Sequence, residues 1–87
     1  MHAVVVKVAI NDAESSERTL REQVVPQVSQ APGFVAGYWT RKDNVGLSMV
    51  IMESEGAAKG MSERVPSIVP DTVTLEEVEV REVVANA

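Results

Sequence analysis

The chain contains no cysteine. Disulfide staples, zinc–thiolate sites, iron–sulfur clusters and thiol nucleophiles are all excluded, so stability has to come from another source. Aromatic residues are almost as scarce: one Phe, one Tyr and one Trp in 87 residues, all within "FVAGYW" at 34–39. The only imidazole, His2, is next to a chain end, where a frayed surface residue is the expectation. Positive charge is also short, with 8 Lys and Arg against 13 Asp and Glu and a net charge of −5. That balance argues against nucleic acid and anionic membranes, whose affinity rests on Lys and Arg meeting phosphate. No apolar run is long enough to span a bilayer. "AVVVKVAI" at 3–10 is broken by Lys7 and lacks the basic flank and small-residue cleavage site of a leader. A cytoplasmic protein is expected.

The length predicts one domain over 1–87, and a chain this short buries only about 60 to 65 % of its unfolded surface. Within it, residues 3–10 read as a strand, with Val4, Val6, Val8 and Ile10 on one fully apolar face. "NDAESSERTLREQVVPQVSQ" at 11–30 switches to helical spacing: Asp12 is the cap, Glu14 and Glu17 suit the first turns, and Leu20, Val24 and Val28 form the buried stripe. Pro26 inside that stretch is expected to kink or shorten the helix. A hairpin follows, 34–41 and 46–53 around "KDNVG", then a short helix from the cap Ser54 with Ala57, Ala58 and Met61 on its small-residue face. "VPSIVPD" at 65–71 reads as a proline-broken connector. In the last strand, 72–84, the apolar phase slips across Glu76–Glu77, the mark of a β-bulge.

An even hairpin loop would put Phe34, Ala36 and Tyr38 beside Leu47, Met49 and Ile51. Val35, Gly37, Trp39 and Arg41 would then share the other face with Ser48, Val50 and Met52. Both faces are largely apolar, so the second one needs a cover. The order βαββαβ predicts an α+β, ferredoxin-like domain: a four-stranded antiparallel sheet with both helices on one face. The bare face is then expected to pair with that of a second copy across a two-fold axis.

The opening "AVVVKVAI", the helix exit "APGFVAGYWTRKD", "VIMESEGAAKGMSERV" and the closing "LEEVEVREVV" resemble the dimeric α+β barrel superfamily, and within it small proteins similar to antibiotic-biosynthesis monooxygenases. The resemblance spans nearly the whole chain. It implies a homodimer whose sheets close into a barrel, with a small-molecule pocket between helices and sheet in each subunit. Haem-degrading relatives use an Asn in the first strand and a Trp and His on the second helical segment. Here the first strand has no Asn before Asn11, and "SEGAAKGMSER" has neither Trp nor His. No cofactor is expected.

The expected function is binding of a small apolar or aromatic metabolite by a homodimer, with cofactor-independent monooxygenase-like chemistry as its enzymatic form. A non-catalytic structural or ligand-sensing module is the alternative. Tyr38, Arg41 and Lys7 are the candidate pocket residues. Trp39, Val35 and Val50 are the candidate dimer interface. Arg41 and Glu53 are read as a solvated ion pair. Glu76, Glu77, Glu79 and Glu82 are read as a solvated strand face rather than a metal site. RNA recognition also uses the order βαββαβ, but "VGLSMVIM" lacks the basic and aromatic residues that stack bases.

Overall fold

The computed structural model describes residues 1–87 as an α+β domain of four strands and two helical segments. Strands β1 (His2–Ile10), β2 (Phe34–Lys42), β3 (Val45–Met52) and β4 (Val73–Glu82) form one antiparallel sheet in the order β2-β3-β1-β4. This is the ferredoxin-like order. Both helices contribute to the same buried cluster on one side of the sheet: Val24 and Val28 from the first, Ala58, Met61 and Val65 from the second. They meet Val4 and Val6 of β1 and Val50 and Met52 of β3.

The first helix runs through Ala13–Thr19, a π-helical turn at Leu20–Val24, and Val25–Ser29. Asp12 caps it. The Ser15 N–H donates to Asp12 Oδ1 and the Ser15 hydroxyl to Oδ2, each at 3.1 Å. Pro26 does not end the helix, which continues to Ser29. Its ring would crowd the carbonyl four residues back, and the chain widens by one residue per turn just ahead of it, so that the Val25 N–H donates to Leu20 O. The second helix, Glu55–Ile68, is longer than expected and continues through Pro66 into the supposed connector. Val65, buried on the core side, holds that last turn in place, and its carbonyl accepts from the Val69 N–H.

The two donors at Asp12 favour its carboxylate. The Ser15 backbone N–H first, and then its hydroxyl, hold the carboxyl below the ordinary aspartate range. A lowered folded-state value stabilises the fold above the unfolded-state value, and the gain disappears as pH falls through the folded one. Asp12→Ala should therefore lower the melting temperature at neutral pH. The gap to the parent should shrink as both are titrated into acid, and a pH-independent gap would refute the charge-assisted cap.

The sheet register decides the faces. The hairpin turn has two residues, Asp43 and Asn44, with Asp43 in the left-handed region at φ 54. The loop is thus even, and Tyr38 pairs with Met49 and Trp39 with Ser48, as the parity required. Which face is covered, however, is the reverse of the expectation. Val4 pairs with Val50 and Val6 with Ser48, so Trp39 shares the helix side with the buried valines of β1. Tyr38 lies on the open side and is 64 % exposed. Two bulges bend the sheet edges. One lies between Lys7 and Val8 opposite Glu77 and Leu75, at the predicted phase slip, and the other leaves Val35 between Phe34 and Ala36.

Candidate functional site

A cavity of about 400 Å³ opens between the first helix and the helix side of the sheet. Val6, Val8 and Ile10 of β1 supply its floor, Leu20 and Val24 of the π-helical turn its roof, and Trp39 one wall. Val69, Pro70 and Val73 close the end where the second helix hands over to β4. This size falls within the range of small-molecule pockets.

Gly37 shapes the wall. A Cβ there would come within 2.7 Å of Trp39 Cη2, so the indole folds back over its own strand into space that only glycine leaves open. Ser48, the cross-strand partner of Trp39, presents another small side chain to the cavity. Ser16 is buried in the lining, and its hydroxyl donates to Thr72 Oγ1 at 2.7 Å, tying the first helix to the start of β4.

Charge collects at the cavity's polar end, which Glu17, Arg21 and Arg41 line together. Arg41 Nε donates to Glu17 Oε1 at 3.0 Å, and Arg41 Nη1 donates to the carbonyl of Asp43 at 3.2 Å. Its partner is therefore Glu17 on the helix and not Glu53. Both side chains of the pair are a little over 40 % exposed. Arg21, one turn after Glu17, takes part in no ion pair.

Neither a family model nor a curated protein matches this chain.

Of the three expected pocket residues, Arg41 lines the cavity, whereas Tyr38 and Lys7 lie on the opposite face of the sheet. Lys7 is exposed between its neighbours Leu47 and Glu77. The expected interface set also divides. Trp39 packs on the core and lines the cavity, Val50 is a core residue at 5 % exposure, and Val35 is exposed in the edge bulge. Glu17 and Arg21 were missed as site residues, because their spacing and charge read as an ordinary solvated helix face. Pro26, just after the π turn that carries Arg21, was the available signal of an irregular helix there. His2 is not a frayed surface residue: it is paired in the sheet with Met52 and Glu82, and its Nε2 lies 3.4 Å from Glu55 Oε2.

The open face has a continuous apolar strip. Tyr38, Met49 and Val5 form one cross-strand row, and Leu47 leads the next with Thr40 and Lys7. Leu47, Met49 and Val45 are each 42 to 50 % exposed. At the β4 edge the strip meets Glu77, Glu79 and Arg81, with Arg81 Nη2 2.6 Å from Glu79 Oε1. No helix is long and apolar enough to cross a membrane.

Proposed function

We propose that this protein is a homodimeric binder of a small, largely apolar metabolite, held in the cavity between the first helix and the sheet. The observation that carries the reading is the cavity itself: an apolar space of about 400 Å³ with a single aromatic wall, Trp39, and charged groups confined to one end. Sites for small molecules combine these features, with apolar burial providing affinity and a few polar groups orientation. Cofactor-independent oxygenation of an aromatic ligand is the reaction implied by the sequence resemblance to antibiotic-biosynthesis monooxygenases. In that case Trp39 and Arg41 are the groups that would face the ligand.

Pairing of two copies through the open faces is supported by the apolar side chains of Tyr38, Leu47, Met49 and Val45, exposed side by side on one face of the sheet. It is also supported by the thin core, whose buried apolar side chains are all valine, alanine or methionine. The interface role given to Trp39 and Val50 thereby passes to Tyr38, Leu47 and Met49. Native mass spectrometry of protein purified without refolding tests both parts. A dimer carrying a stoichiometric small molecule is expected. An empty dimer would favour a non-catalytic module, and a monomer would sink the pairing. In the dimer, Met49→Glu should shift the population to monomer while the circular dichroism spectrum stays unchanged, because a carboxylate between Val5 and Tyr38 would be buried without a cation beside it.

A further inference from the structure

We propose that the cavity's ligand is an organic carboxylate, and that its head group is received by Arg41 in exchange for Glu17. This rests on the reading of the cavity as a ligand site and specifies the chemical class of the occupant.

The argument starts from how Arg41 is held. Its Nη1 is fixed by the carbonyl of Asp43, a residue of the hairpin turn, and its Nε by Glu17. Two contacts from two elements fix the plane of the guanidinium, and Nη2 makes no hydrogen bond within the chain. Once Nε is released from Glu17, it and the free Nη2 form one edge of an oriented guanidinium, the geometry that receives a planar two-oxygen anion. The Glu17 contact is itself replaceable. It is monodentate, from Nε alone, and both partners are partly open to solvent, where such a pair contributes little.

The local charge points the same way. The chain carries −5 in total, yet the cavity is lined by two guanidinium groups, Arg21 and Arg41, and one carboxylate, Glu17. The other acids of this helix do not line the cavity: Glu14, 3.8 Å from Arg18, and Glu22 border the adjoining outer groove, which Glu17 and Arg21 also border. An arriving anion therefore meets a site with one positive charge in excess. Inorganic anions fit poorly, because the rest of the lining is Val8, Leu20, Val24 and the Trp39 indole, which reward an apolar body. A carboxylate on an aromatic or aliphatic frame satisfies both ends. When it binds, Glu17 is released to solvent, and the first helix loses its tie to the hairpin turn.

Trp39 is the only tryptophan, so its indole N–H cross-peak in a nitrogen–proton correlation spectrum reports on the cavity wall alone. The probes are naphthoate and naphthamide, which share an apolar body and differ in charge. Naphthoate should shift the indole peak saturably and bind roughly tenfold more tightly than naphthamide, the value of a charge-assisted hydrogen bond. Arg41→Gln should abolish that preference while leaving naphthamide unchanged. Glu17→Gln, which frees Arg41 without removing it, should tighten naphthoate by roughly threefold. Equal binding of the two probes, or a preference that survives Arg41→Gln, overturns the carboxylate assignment and leaves the cavity as a ligand site. If neither probe moves the indole peak, both the assignment and the ligand-site reading fail. A shift with inorganic phosphate alone would overturn the requirement for an apolar body.

Discussion

Met52→Ala should lower the unfolding free energy by about 3 kcal/mol, within the range of about 2 to 5 for removing a buried methionine side chain. Met52 is the largest side chain in the molecule that is essentially sealed, at 1 % exposure. It ends β3 on the helix side, paired with His2 and Phe34, and belongs to the cluster with Ala58 and Met61. Ala58 is too small to fill the space that the side chain leaves, so a cavity term adds to the lost transfer energy. For 87 residues a total stability of roughly 4 to 13 kcal/mol is ordinary, so the loss is a large fraction of it. Urea titration should show a lower midpoint with an unchanged slope, and Met52→Leu should recover most of the loss. A cost below about 1 kcal/mol would mean that the site collapses freely and the second helix is not anchored there.

Gly33→Ala is the second large effect, expected at about 2 to 3 kcal/mol from two separable causes. At φ 85, Gly33 is in the left-handed region that a Cβ disfavours. The same Cβ would meet Ala57 Cβ at 2.8 Å, because the exit of the first helix crosses the start of the second at that point. The Gly33 carbonyl also accepts from the Glu53 N–H at 2.8 Å, so the backbone cannot back away without losing a hydrogen bond at the end of β3. Combining Gly33→Ala with Ala57→Gly should recover the steric share and leave the dihedral one, about 1 kcal/mol, in a double-mutant cycle of urea unfolding. Strict additivity would remove the crossing contact from the account, and a neutral single variant would sink both causes.

The order of elements was readable because each is announced locally. Val4, Val6 and Val8 alternate, Asp12 and Ser54 cap, and the slip at Glu76–Glu77 marks the bulge opposite Lys7 and Val8. The prolines misled, since Pro26 is absorbed by a π-helical turn and Pro66 by the last turn of a helix whose Val65 is buried. In both places core packing outweighs the missing donor. The edge bulge at Val35 carried no phase signal, because both faces of "FVAGYW" are apolar.

The cavity was legible only in part. Arg41 lines the cavity, but the sequence pattern couples it with Tyr38 and Lys7, which the sheet sets on the other side. Glu17 is 24 positions from Arg41 and on a different element, and nothing in the intervening chain announces that they meet.

Composition and spacing settle the α+β class, the strand and helix order, and the parity that sends Tyr38 and Trp39 to opposite faces. These depend on interactions among near neighbours: caps, alternation and a two-residue turn. Which of those faces the helices cover depends on the pairing of β3 with β1, Val4 opposite Val50, across more than forty intervening residues. Period-two patterning cannot fix that choice when both faces of the hairpin are apolar, because either one would bury comparable surface against the helices. Long-range pairing resolves it, putting Trp39 over the cavity and leaving Tyr38 on the open sheet.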